Sequence, residues 1–121
     1  MSLQTAHELA EQLEKGEVTS LTLTKRYLDQ IERHNPQLNA VLATMRAEAL
    51  AAAEESDKRR HGGATRSPLE GIPVIVKDNI CTKDVPTTCG SKSLQNFRPP
   101  YNAGVIVKLE AAGAIVIAKA N

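Results

Sequence analysis

Three polar residues, Lys77, Asp78 and Asn79, follow directly on the branched apolar run Ile72-Pro-Val-Ile-Val76. A lysine held against apolar surroundings loses part of its proton affinity, because desolvation disfavours the ammonium, and can then act as a base. The plainer alternative is a lysine whose aliphatic stem covers apolar surface while its charge reaches water at an ordinary strand end. Other reactive side chains offer less. Cys81 and Cys89 lack a histidine partner nearby in sequence, since His7, His34 and His61 are scattered through helical or loop segments. A thiol nucleophile needs such a base. No histidine or cysteine pair has metal-ligand spacing, so neither a metal nor any other cofactor is expected. The spacing of Cys81 and Cys89 allows a disulfide, while two cysteines in a chain with no secretory signal are more often free thiols.

The elements that must place Lys77 can be read along the chain. Thr5 and Glu8 have the spacing of a capping box, which opens a short helix carrying Leu9 and Leu13 and stopping at Gly16. Ser20 is expected to cap a second helix with Leu21, Thr24, Leu28 and Ile31 on one face, ended by Asn35-Pro36. A brief extended piece, 38–42, precedes an alanine-rich helix over 45–60. Its basic cluster Lys58-Arg59-Arg60 reads as a solvated helix end rather than a nucleic-acid contact. Gly62-Gly63 closes that helix, and 61–68 reads as a flexible joint between a helical part, 1–62, and a second part, 68–121.

In the second part, the apolar run bounded by Gly71 and ending at Lys77 reads as a buried strand. The long Thr-, Ser- and Pro-containing stretch 81–100 has no sustained period, and a loop of that length is usually functional or disordered. Asn102 is expected to cap a helix with Val105, Ile106 and Leu109 on its face, closed by Gly113. Ala114 to Ala118 reads as another strand, followed by Lys119-Ala-Asn121. Strand, loop, helix, strand is a crossover unit with parallel strands. Two parallel strands and one helix cannot cover both faces of such a sheet, so the stretch reads as the beginning of a larger α/β protein.

Composition bounds the remaining possibilities. The 121 residues suffice for one domain, and one Phe, two Tyr and no Trp leave the core to Ala, Leu, Ile and Val. Fifteen basic and fourteen acidic side chains are interleaved, for a formal charge of +1, so no field of one sign exists to attract a nucleic acid or an anionic membrane. No apolar run approaches the ~20 residues a membrane-spanning helix needs, and cytoplasmic residence is expected. Nucleotide binding has no support, because no Gly-rich phosphate loop joins strand to helix.

The segment Pro68-Leu-Glu-Gly-Ile-Pro-Val-Ile-Val-Lys-Asp-Asn79 resembles the lysine motif of the amidase signature family. Thr87-Thr-Cys-Gly-Ser91 and Gly113-Ala-Ile-Val-Ile117 fit the same family, in order and at the right spacing. Leu28-Asp-Gln-Ile-Glu32 and Asn35-Pro-Gln-Leu-Asn-Ala40 are similar to its A-subunit branch, found in the glutamyl-tRNA(Gln)/aspartyl-tRNA(Asn) amidotransferases. The resemblance covers essentially the whole chain. It implies an N-terminal fragment of a mixed-sheet α/β amidase fold and amide hydrolysis by a Ser–cis-Ser–Lys triad. Lys77 takes the role of base, and Asp78 and Asn79 support it from behind. Glutamine is the implied substrate, and the implied partners are the remainder of the amidase domain and the other amidotransferase subunits.

The resemblance also implies that both serines lie in a Gly- and Ser-rich segment further along. Ser91 and Ser93 flank Lys92 without such a setting, so the 121 residues alone are expected to be inactive. The chain departs from the A-subunit pattern at Asn102-Ala-Gly104, where Asp-Ala-Thr is usual, and at Ala118-Lys-Ala120, where Gly-Lys-Thr is usual. The absent serines and these departures motivate one alternative, a non-catalytic remnant serving as a binding or assembly module. The N-terminal part of a general small-molecule amidase is another, because the resemblance implies that the substrate-selecting residues lie further along.

Overall fold

The computed structural model describes residues 3–121. The Thr5 hydroxyl accepts the Glu8 amide at 3.2 Å while the Glu8 carboxylate accepts the Thr5 amide at 2.7 Å, which is the capping box its spacing predicts. Helix α1 (Ala6–Glu14) buries Leu9 and Leu13. Helix α2 (Ser20–Leu38) begins one residue earlier than expected. Thr19 caps it by accepting the Thr22 amide at 3.1 Å, and Ser20 is buried, donating its hydroxyl to the Gly71 carbonyl at 2.8 Å.

Nor does α2 stop at Asn35-Pro36. It runs on to Leu38 and ends where Asn39 turns left-handed at φ 53°. Pro36 lacks the amide that would have bonded the Glu32 carbonyl, and Asn35 ties the following chain down. Its carbonyl accepts the Asn39 amide at 2.7 Å. Its side-chain oxygen accepts the amides of Ala40 at 2.9 Å and Val41 at 2.8 Å. Its amide nitrogen donates to the Val41 carbonyl at 2.9 Å.

Strand β1 (Val41–Thr44) leads into helix α3 (Arg46–His61). Ala49, Ala53 and Ser56 form the buried stripe of α3, and small side chains there bring α2 and the sheet close. From α3, the Asp57 carboxylate accepts the first two amides of α2, Ser20 at 2.8 Å and Leu21 at 3.1 Å. In the cluster at the end of α3, Lys58 is solvated as expected, but Arg59 and Arg60 turn inward. Arg59 forks onto Glu70, with Nε 2.7 Å and a terminal nitrogen 3.1 Å from its two oxygens, and Arg60 donates to the Glu70 carbonyl at 2.9 Å. Glu70 is fully buried, so these donors replace the water its carboxylate has lost. The connection expected to flex is likewise pinned: the Ser67 hydroxyl donates to the Ala112 carbonyl at 2.6 Å and the Arg66 guanidinium to the Glu110 carbonyl at 3.1 Å.

Strand β2 (Pro73–Lys77), helix α4 (Gly104–Ala111) and strand β3 (Ile115–Ala120) complete the fold, with one 3-10 turn at Lys92–Leu94. The sheet order is β1-β3-β2; β3 is central, parallel to β2 as a crossover requires and antiparallel to β1. This is a mixed α/β architecture. Residues 1–62 thus contribute a strand to the sheet formed with β2 and β3. Asn102 does not cap α4: its side-chain oxygen accepts the Lys83 amide at 2.7 Å, and Ala103 occupies the cap position. Of the expected apolar face of α4, Ile106 is buried, Leu109 is half-buried and Val105 is 49% exposed; Val107, outside that face, is 54% exposed. Strand β3 extends two residues beyond the expected Ala118 and takes Lys119 into the sheet.

Candidate active site

Lys77 ends β2, as its sequence position predicts. In the parallel ladder it lies opposite Ala120, and the Asp78 amide continues the ladder to the Ala120 carbonyl at 2.8 Å. Successive residues alternate faces of a strand. Val76 and Asp78 are buried on one face, whereas Lys77 is exposed on the other. Lys77 lines a cleft of about 150 Å³ together with Asp78, Asn79, Cys89, Gly90, Ala120 and Asn121. Asn79 is exposed beside it.

Asp78 joins the strand end to the loop that forms the other wall of the cleft. One carboxylate oxygen accepts the Thr88 amide at 3.0 Å and the Thr88 hydroxyl. The Asp78 carbonyl accepts the Cys89 amide at 3.0 Å. That pairing holds Cys89 and Gly90 in successive left-handed conformations, φ 54° and 71°. The positive φ at position 90 favours glycine, and a Cβ there would also come within 2.9 Å of the Asn121 side-chain oxygen, which would have to rotate away. Cys81 and Cys89 are free thiols.

The second carboxylate oxygen of Asp78 is buried without a hydrogen bond and lies 3.7 Å from the ammonium of Lys119. Lys119 is fully buried. It donates to the Ile80 carbonyl at 2.6 Å and to the hydroxyls of Thr82 at 2.9 Å and Thr87 at 3.2 Å. Burial pushes its pKa below the ordinary lysine range, against the opposing pull of Asp78. Sequence reasoning missed Lys119 because it placed the residue beyond the strand end. The usable signal was a lysine directly continuing a branched apolar run in a strand covered on both faces.

A second buried carboxylate, Glu70, stands at the opposite end of β2 and packs under Gly113, whose φ is 92°. A Cβ at position 113 would come within 2.7 Å of the Glu70 carboxyl carbon. Burial pushes the Glu70 carboxyl up, but the hydrogen bonds from Arg59, Ser56 and the Arg66 amide outweigh it and hold the group below the usual range. With its acceptors occupied, Glu70 is a structural anchor. Among the described residues no cluster of three metal-binding side chains occurs, and no helix is long and apolar enough to cross a membrane.

A family model described as Amidase matches residues 22–121. The chain is 44% identical over 119 residues to the A-subunit of glutamyl-tRNA(Gln) amidotransferase from Rhodopirellula baltica, across 98% of this chain and 24% of that protein. The protein of the same description from Chloroflexus aggregans is 50% identical over 109 residues, across 90% of this chain and 22% of its own length. The native peptide amidase of Stenotrophomonas maltophilia superposes with a TM-score of 0.93 at 38% identity, across 99% of this chain and 25% of that one. The chain therefore spans about a quarter of the length of the relatives it matches.

Proposed function

The chain belongs to the amidase signature family, whose model covers residues 22–121, and from that membership we propose that it supplies the lysine base of an amide-cleaving enzyme. Within the family we favour the A-subunit of a tRNA-dependent amidotransferase, which releases ammonia from glutamine for the conversion of Glu-tRNA(Gln) to Gln-tRNA(Gln). The similarity to proteins of that description, at 44% and 50% identity, supports this branch. In this reading Lys77 takes a proton from a bridging serine, which activates a nucleophilic serine. Both serines lie outside residues 1–121 and belong to the remainder of the amidase domain. The partners are the other amidotransferase subunits, the chain itself makes no nucleic-acid contact, and the setting is the cytoplasm.

The observation that carries the reading is the placement of Lys77. It stands at the carboxyl end of a parallel strand, on a cleft, with Asp78 anchored on the opposite face. Ligand sites of α/β sheets gather at such strand ends. The departures from the A-subunit pattern do little to this geometry, which weighs against a non-catalytic remnant. Asn102 uses an oxygen that aspartate would also present, and a Cβ at Gly104 would meet open space. Ala118 is buried in the core cluster with Leu28, Ala49 and Ile117. Ala120 alone of the four lines the cleft. A second reading, a general small-molecule amidase, draws on the superposition with the peptide amidase at a TM-score of 0.93.

The test is ammonia release by the full-length protein from glutamine and, separately, from a C-terminal peptide amide. Lys77→Ala is expected to lower kcat by about 10²–10⁴-fold, the usual contribution of a positioned base. Lys77→Arg should be equally impaired, because a guanidinium cannot give up its proton in a protein. Activity within about threefold of the parent in both variants would remove Lys77 from the mechanism. Turnover of the peptide amide but not glutamine would favour the second reading.

A further inference from the structure

Lysine is almost never fully buried unless it is paired, and Lys119 is fully buried in the central strand. Its hydrogen-bond partners define its protonation state. The Thr82 hydroxyl donates to the Ile80 carbonyl and the Thr87 hydroxyl to the Val85 carbonyl, both at 3.2 Å. A hydroxyl has one hydrogen, so each of these can only accept from Lys119. With the Ile80 carbonyl, that makes three acceptors around one nitrogen, which match the three N–H donors of an ammonium. The Asp78 carboxylate beside it accepts two bonds from Thr88 and keeps its other oxygen toward the ammonium. The two form a buried pair of opposite charges.

The pair sits behind the cleft. Lys119 lies in register with Val76, so it leaves the sheet on the face shared with Asp78, opposite to Lys77. Through its bonds it links β3 to the turn after Lys77, at Ile80, and to the loop wall, at Thr82 and Thr87. We infer that Lys119 is a positioning residue: by holding Asp78, Ile80 and Thr87 from the far face of the sheet, it fixes the strand end that carries Lys77 and the Thr88–Gly90 wall opposite. Lys119 does not touch the reacting atoms. Its loss would leave the Asp78 carboxylate buried without a counter-charge, which favours protonation or escape of that side chain. Either change weakens the carboxylate's bonds to Thr88 and, through Thr88, loosens the neighbouring Cys89 amide held by the Asp78 carbonyl, so the wall can move away from Lys77. The catalytic half of the inference rests on the proposed role of Lys77; the structural half does not.

The experiment measures amide hydrogen exchange and ammonia release in the full-length protein carrying Lys119→Met, with and without Asp78→Asn. Lys119→Met is expected to speed exchange at Thr88 and Cys89 by about tenfold or more while Leu28, in the core of α2, stays within about twofold. It should lower kcat by about tenfold or more with KM within about threefold, since binding groups are left in place. Adding Asp78→Asn removes the stranded charge and should recover part of both losses, so the double variant is better than the product of the singles. Equal acceleration at Leu28, unchanged exchange at Thr88, or strictly multiplicative losses would each overturn the inference. If Lys119→Met does not fold, Thr87→Val carries the exchange and kcat arms of the test without the Asp78→Asn rescue, because it removes one acceptor of Lys119 while keeping the side chain's shape and the charge pair. A Lys77→Ala protein with full activity would refute the proposed base and leave the exchange result to stand or fall separately.

Discussion

At the residue scale, the site depends on alternation along a strand end. Lys77 faces the cleft only because Val76 and Asp78 face the interior, and a slip of one residue would exchange them. The two ends of β2 are anchored by different chemistry: Asp78 with Lys119 at one, Glu70 with Arg59 at the other. The Glu70 anchor makes a pH prediction. Its carboxyl lies below the ordinary range when folded, so the folded state binds its proton less readily than the unfolded chain does. The resulting stability is fully present above the unfolded value of about 4.3 and is lost as pH falls through the lower folded value. Urea midpoints measured from pH 6 to 3 should fall on the acid side, and Glu70→Gln should flatten that slope. An unchanged slope in the variant would place the acid sensitivity elsewhere.

At the scale of elements, α2 is held at its N-terminus by a group that its own sequence period does not include. Asp57, on α3, accepts its first two amides, and negative charge there also suits the positive end of the helix dipole. Asp57→Ala would leave two part-buried amides without acceptors and is expected to destabilise the fold by about 1–2 kcal/mol. Asp57→Asn keeps an acceptor and should lose less. Chemical denaturation of both variants checks the order; equal losses would mean that charge, rather than the hydrogen bonds, dominates. Helix α4 shows the reverse case. With eight residues packed chiefly on β3, it buries Ile106 and leaves Val105 and Val107 half exposed.

At the scale of the whole molecule, the three-stranded sheet draws on both halves of the chain, β1 from one and β2 and β3 from the other. A groove of about 540 Å³ bordered by Leu38, Ile75 and Tyr27 lies open, with Leu38 70% and Ile75 46% exposed. Residues 1–121 expressed alone should therefore associate as concentration rises, seen by light scattering, and should release no ammonia from glutamine. Release abolished by Lys77→Ala would show that a nucleophile within these residues serves the lysine. A clean monomer at all concentrations would show that the open groove is tolerated in water.

What the sequence by itself determined was local or periodic. The Thr5–Glu8 cap, the helices carrying Leu9, Leu28 and Ala49, the strand ending at Lys77 and the crossover all follow from spacings of a few residues, and the family resemblance from short motifs in order. Tertiary structure decided where a local rule had a distant competitor. Pro36 stays inside α2 because Asn35 secures β1; Asn102 serves Lys83 rather than a helix; Arg59 reaches Glu70 instead of water. Lys119 is the clearest example. Its sequence neighbours mark a strand end, yet its acceptors Ile80, Thr82 and Thr87 stand 39, 37 and 32 positions away along the chain. Only folding brings enough acceptors together to keep a buried ammonium charged, because the desolvation it suffers must be offset by groups that no local spacing can supply.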